Sequence, residues 1–253
     1  MTGTSTPCES LTVGLLACDT VDAPLADIHG QYADMFARLL GQPAPQIHWR
    51  VYRVHADEFP ARVDECDAWL ISGSRRSVYE DLPWVARLVA FLRALHAARR
   101  RTVGICFGHQ LIGHALGGRA ARAPQGWGLG AQRSTVLEAR PWMQPAARDF
   151  TLYAVHQDQV LALPPGATRL ASNPHCENAM FVLDEVMLGV QGHPEFERAY
   201  AQAITANKRG LAPDALVDAA LGGMDAATDG ALLARWLVNF LCGAAPGAEA
   251  DQS

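Results

Sequence analysis

Gly104-Ile105-Cys106-Phe107-Gly108-His109-Gln110 is the stretch on which the reading of this chain turns. It follows a short apolar run, Thr102 to Ile105, and precedes a helix-like segment, Gln110 to Leu116. A cysteine with glycine two residues to either side, between a strand and a helix, has the layout of a nucleophile elbow. The turn is sharp enough that bulky flanking side chains would collide with neighbouring backbone, hence the glycines. The cysteine then stands at the N-terminal end of a helix. There the dipole and the free N–H groups favour negative charge on a nucleophile and on any oxyanion built on it.

On either side of this turn, apolar runs alternate with helix-length segments. Upstream, Leu11 to Ala17 reads as a first buried strand, Gln31 to Leu40 as a helix and Ile47 to Val54 as a second strand. Ala68 to Ser72 reads as a third strand, ending in the turn Ser72-Gly73-Ser74. Pro83 to Arg99 carries Trp84, Leu88, Phe91, Leu92 and Leu95 at helical spacing, with proline in the first turn and arginines at the C-terminal end. Thr102 to Cys106 is the fourth strand. Such alternation predicts an α/β fold, a mostly parallel central sheet with helices on both faces. After Pro124 the pattern shifts to shorter strands: Ser134–Leu137, Thr151–Val155, Arg169–Ala171, Ala179–Leu183 and Val186–Val190. These predict a small antiparallel region, with a hairpin at Asp184-Glu185. Helices are expected at Glu195–Asn207 and Gly230–Cys242. One domain over residues 11–242 is the simplest division, with loose termini at 1–10 and 243–253.

Composition narrows the class. The 253 residues are 49% hydrophobic and 19% charged, as in an ordinary globular protein able to bury a sizeable core. A net charge of -5 argues against nucleic acid or an anionic membrane as partner. No apolar run is long enough to span a bilayer, and Met1 to Leu11 has neither a basic nor an apolar region. A cytoplasmic location is therefore expected. Six cysteines without CxxC spacing read as thiols rather than a disulfide framework. No GxGxxG or phosphate-cradling lysine loop is present, so no nucleotide site and no cofactor are expected. Cys106 and His109 make only two ligands, short of the four a structural zinc site uses, so no metal is expected either.

A nucleophilic cysteine needs a base, and the base needs a group to orient it. The strongest candidate is Gln191-Gly192-His193-Pro194-Glu195, just after the apolar run that ends at Val190. In an extended segment, residues two apart point to the same side, so His193 and Glu195 are expected to converge. A carboxylate beside an imidazole fixes its tautomer and stabilises its charged form.

GICFGHQ together with the downstream GHPEF resembles the class I (triad-type) glutamine amidotransferases. Within that group the chain is most similar to stand-alone proteins related to the glutaminase domain of GMP synthase. The likeness runs from about Val13 to Leu241 and includes ISGS (Ile71–Ser74), ALGG (Ala115–Gly118), GWGLG (Gly126–Gly130), HQDQV (His156–Val160) and QGHPEF (Gln191–Phe196). The resemblance implies a flavodoxin-like fold and a Cys106–His193–Glu195 triad. Cys106 would attack a γ-glutamyl amide, and the thioester would be hydrolysed to glutamate. It further implies an oxyanion hole from the backbone N–H groups of Gly73 and Phe107, and substrate contacts from Gln110, His156 and Gln157. One departure stands out. Where many members carry Gly-Gly-Pro after the third strand, this chain has Gly73-Ser74-Arg75-Arg76. Two arginines there either meet a substrate carboxylate or are solvated loop residues.

Three functions fit these residues. One is a glutaminase that hands ammonia to a separate synthetase subunit. The second is a stand-alone γ-glutamyl peptidase or hydrolase with water as acceptor, and the third is a catalytically silent binding module. A cysteine hydrolase of the α/β-hydrolase type does not fit, because there the acid precedes the histidine, whereas Glu195 follows His193.

Overall fold

In the computed structural model, which describes residues 10–243, nine strands form one sheet in the order β2-β1-β3-β4-β11-β10-β9-β6-β7. Five of them run parallel: β1 (Leu11–Leu16), β2 (Ile47–Tyr52), β3 (Ala68–Ile71), β4 (Thr102–Ile105) and β11 (Met187–Val190). Every residue of β3, β4 and β11 is buried, as expected of parallel strands covered on both faces. The antiparallel strands continue the same sheet: β10 (Met180–Leu183), β9 (Thr168–Ser172), β6 (Gly128–Val136) and β7 (Asp149–His156). A separate two-stranded ribbon pairs β5 (Arg119–Arg122) with β8 (Asp158–Ala162).

Alternation along the strands sorts the core into two layers. Val13, Leu15, Leu70, Val103, Ile105, Leu188 and Val190 face one side, under α2 (Tyr32–Gly41) and α7 (Gly230–Cys242). Leu16, Trp69, Ile71 and Met187 face the other, under α3 (Pro83–Ala97) and α4 (Phe107–Ala115). On α3 the fully covered positions are Val85, Leu88, Leu92 and Leu95, while Trp84 and Phe91 are partly buried at its flanks. The remaining helices are α1 (Leu25–His29), α5 (Arg198–Ala206) and α6 (Asp214–Gly222), the last covering Leu129 through Val217 and Ala220.

Several elements differ from the sequence expectation. Helix α4 begins at Phe107, three residues earlier than expected, which makes Cys106 its N-cap. Strand β6 starts at Gly128 rather than Ser134, because Gly128 to Thr135 pair with β7. The 184–185 hairpin forms as read, with Asp184 and Glu185 at φ 52° and 56° in a tight turn closed by Val186 N–H to Leu183 O. Of the termini expected to be loose, only Ser10 and Gly243 fall among the described residues. Among the described residues no helix is long and apolar enough to cross a membrane.

Candidate active site

Three adjacent strands, β3, β4 and β11, end on the same side of the sheet. Gly73 lies just beyond β3, Cys106 directly follows β4, and His193 lies just beyond β11. Cys106 adopts φ 52° and ψ −99°, a conformation that side-chain-bearing residues rarely take and that costs on the order of 1–3 kcal/mol. The flanking glycines explain how the chain makes this turn. A Cβ on Gly104 would sit 2.3 Å from the carbonyl carbon of Gly108, and one on Gly108 would sit 2.5 Å from the backbone oxygen of Ile71. The elbow therefore packs backbone on backbone, and α4 starts immediately behind the thiol with its first N–H groups unclaimed by the helix.

His193 and Glu195 converge as their spacing predicts. His193 Nδ1 lies 2.8 Å from Glu195 Oε1, and both side chains are buried. The imidazole is fixed from further directions: its ring stacks on Phe196 with centroids 3.8 Å apart and planes within 5°, and its backbone N–H donates to Tyr153 O at 2.9 Å. Burial by itself would lower the His193 pKa. The Glu195 carboxylate and then the Cys106 sulfur outweigh it and push the imidazole up, to about 10. An imidazole so placed holds a proton readily and can pass it to a leaving group.

Around the sulfur the expected positions fall as follows. The Gly73 backbone runs beside both groups, since a Cβ there would be 3.0 Å from His193 Cε1 and 3.8 Å from Cys106 Cβ. Phe107 is the first residue of α4, its ring buried against Trp84. Gln110 is buried and lines the cavity above Cys106, but its amide donates to Asp158 O at 2.8 Å and to Gln191 Oε1 at 3.3 Å. Gln191 in turn donates to Cys106 Sγ at 3.7 Å. This glutamine sits inside the quoted QGHPEF segment, yet nothing in the sequence alone assigned it a task. His156 and Gln157 line the same cavity at the turn between β7 and β8. Burial first, then the neighbouring histidines, depress the His156 pKa to about 3, so the ring is neutral at pH 7.

The cavity over Cys106 has a volume of about 890 Å3. Arg75 and Arg76 lie on its rim, both side chains largely exposed. The Arg75 guanidinium pairs with Asp19 at 2.9 Å and with Asp22, tying the loop after β1 to the loop after β3. Arg76 pairs with Glu80 at 3.5 Å. Opposite, Asp158 accepts from Ser77 Oγ at 2.5 Å and from Tyr79 OH at 3.0 Å. His175 and Cys176 lie in a turn, both N–H groups donating to Asn173 Oδ1. His109 is buried against Phe181, and burial lowers its pKa to about 3. Among the described residues no group of three or more His, Cys, Asp or Glu side chains is placed to hold a metal ion.

Comparison with known proteins identifies the family. The family model "Glutamine amidotransferase class-I" matches residues 25–208. Gamma-glutamyl peptidase 4 of Arabidopsis thaliana is 33% identical over 192 residues, covering 73% of this chain and 76% of the relative. The glutamine-hydrolyzing GMP synthase subunit of Archaeoglobus fulgidus is 35% identical over 94 residues, 37% of this chain and 51% of that protein. The crystal structure of a glutamine amidotransferase from Thermotoga maritima superposes with a TM-score of 0.69 at 18% identity, covering 92% of this chain and 98% of that one, a likeness of fold. With an elbow cysteine beside a buried His–Glu pair on this fold, and a family model spanning most of its length, the chain belongs to the class I glutamine amidotransferases.

Proposed function

We propose that this chain is a γ-glutamyl hydrolase that cleaves γ-glutamyl amides larger than glutamine through a thioester on Cys106. The observation that carries this reading is the cavity of about 890 Å3 opening over Cys106 and His193. Cavities of roughly 300–1,000 Å3 accommodate drug-sized ligands, so this one leaves room beyond a single amino acid. The likeness to a γ-glutamyl peptidase over about three quarters of both chains supports the same reading.

In this mechanism His193 takes the thiol proton, and Cys106 Sγ attacks the γ-carbonyl carbon of the substrate. The backbone N–H groups of Gly73 and Phe107 receive the oxyanion. Collapse of the tetrahedral intermediate breaks the C–N bond, and His193 returns the proton to the leaving amine. Water, deprotonated by His193, then attacks the thioester; glutamate departs and the thiol re-forms. Glu195 holds the imidazole in orientation and balances its charge throughout. Gln191, reaching the sulfur, positions the nucleophile. Gln110, His156 and Gln157 line the end that takes the glutamyl amino acid portion.

A second reading is an ammonia-supplying glutaminase for a separate synthetase, favoured by the 94-residue likeness to the Archaeoglobus GMP synthase protein. The two separate by assay. Release of amine and glutamate is measured for glutamine and a panel of γ-glutamyl peptides, with Cys106→Ala as control. Cys106-dependent turnover of peptides above that of glutamine is the expected result. Glutamine preferred over every peptide would replace this reading with the second.

A further inference from the structure

Most of the charged side chains around the cavity pair with one another, and Lys208 is the partly buried one that does not. Arg75 is committed to Asp19 and Asp22, and Arg76 to Glu80. Asp158 is satisfied by Ser77 and Tyr79. Lys208, just past the end of α5, has no carboxylate partner among the described residues, although it lines the cavity and is partly buried. Its ammonium instead rests over the ring of Trp127, 5.1 Å from the centroid, and the Trp127 indole N–H is anchored on Leu211 O at 3.1 Å. Arg122, exposed on the same cavity and opposite Asp158 in the β5–β8 ribbon, makes no ion pair among the described residues. A partly desolvated ammonium without a counter-charge is a costly arrangement unless an anion completes it.

The rest of the wall supports a ligand there. Trp127 and Leu211 give Lys208 an apolar platform, and Ile204 extends it along the cavity. Burial lowers the Lys208 pKa first, and the nearby Arg75 lowers it further. A γ-glutamyl group brings one ammonium and one carboxylate, which cancel. The unpaired Lys208 ammonium therefore fits a second carboxylate, one carried by the group that leaves.

Resting on the γ-glutamyl hydrolase reading, we propose that Lys208 on its Trp127 platform, aided by Arg122, is the specificity subsite for a carboxylate on the leaving amine. The favoured substrates are thus γ-glutamyl amino acids and peptides with a free C-terminal carboxylate. Lys208 is a specificity-determining residue and takes no part in bond making.

The test measures binding and turnover apart. On the Cys106→Ala background, calorimetry compares γ-glutamyl-leucine with γ-glutamyl-leucine amide, which differ only in the terminal carboxylate. The acid is expected to bind about 10-fold or more tighter than the amide, the scale of one charge-assisted contact. K208M reduces that ratio to about twofold, and K208R restores most of it. The ratio of kcat/KM for acid and amide in Cys106-containing protein follows the same order. An acid-to-amide ratio near one, or one that K208M leaves unchanged, overturns the proposal. An unchanged ratio with both ligands weakened equally assigns Lys208 to the glutamyl α-carboxylate instead and also overturns it. Failure of the hydrolase reading looks different: the acid preference and its dependence on Lys208 persist in binding, while Cys106-containing protein cleaves neither compound.

Discussion

Gly73→Ala tests how tightly the His193 ring is confined. A methyl group at this position would lie 3.0 Å from His193 Cε1, against about 3.5–4.0 Å for an ordinary carbon–carbon contact. The deficit is roughly half an ångström. The ring has little room to yield, with Phe196 stacked on its face at 3.8 Å, Glu195 holding Nδ1 at 2.8 Å and Tyr153 O holding the backbone N–H at 2.9 Å. The displacement therefore passes to Nε2, the atom proposed to exchange a proton with Cys106. A misplacement of about 1 Å at reacting groups costs on the order of 100-fold, so half of that predicts a loss of about tenfold in kcat/KM. Gly73 does not have a positive φ, and alanine keeps the N–H assigned to the oxyanion. Overpacking of roughly 1–3 kcal/mol, partly offset by the stiffer unfolded chain, leaves a net destabilisation of about 1 kcal/mol. Cys106-dependent hydrolysis and urea denaturation of the variant measure the two quantities. Activity within twofold of the parent, in protein of unchanged stability, would refute the confinement of the ring.

Three further outcomes follow from the same geometry. Glu195→Gln removes the charge that outweighs burial at His193, so the pH at which the ring loses its proton falls from about 10 toward or below 6.5. The kcat should drop by about 10²- to 10⁴-fold, and an NMR titration of His193 that does not move would contradict the assignment. Gly108→Ala drives a methyl to 2.5 Å from the backbone oxygen of Ile71, which no rotamer relieves. A loss of about 3 kcal/mol or more is expected in urea denaturation, and a loss under about 1 kcal/mol would mean the elbow packs more loosely than described. Acid stability is the third. His109 and His156 have folded pKa values depressed from 6.5 to about 3, burial being the main cause. Below about pH 6.5 the unfolded chain therefore binds more protons than the folded one, and stability falls with pH by up to about 1.4 kcal/mol per unit for each histidine. His109→Gln should remove about half of that contribution to the slope measured between pH 6 and 4, and an unaltered slope would count against it.

What the sequence disclosed was set by how local each constraint is. The elbow was legible because its two glycines answer to backbone only a few residues away and to the neighbouring strand. His193 and Glu195 were legible because two residues of extended chain suffice to align them. The fate of Arg75 was not, since its partners Asp19 and Asp22 lie on a loop more than fifty residues upstream and only the parallel pairing of β1 with β3 brings them close. Strand β5, Arg119–Arg122, carries no apolar alternation of its own and forms because β8 pairs with it. Helix α6 buries only Val217 and Ala220, too narrow a stripe to announce itself. Lys208 and Trp127 gave no signal for a related reason. A lone lysine after a helix is ordinary, and only the fold sets it over an indole in the cavity that holds Cys106.

The division of the sheet suggests how such a site changes its substrate without losing its chemistry. Gly73, Cys106 and His193 all follow the ends of β3, β4 and β11, three neighbouring buried strands whose register is fixed on both faces by helices. A one-residue slip in any of them would turn core side chains toward the wrong layer, so their relative positions are strongly specified. Placement of reacting groups at the carboxyl ends of parallel strands exploits that rigidity. The wall bearing Trp127, Lys208 and Leu211 belongs to different parts of the chain, the segments after β5 and after α5. These contribute little to the packing beneath Cys106: Trp127 is partly buried, Leu211 is 67% exposed, and neither belongs to the two large core layers. Substitutions on that wall can therefore alter which leaving group fits while the distances among Gly73, Cys106 and His193 stay as they are.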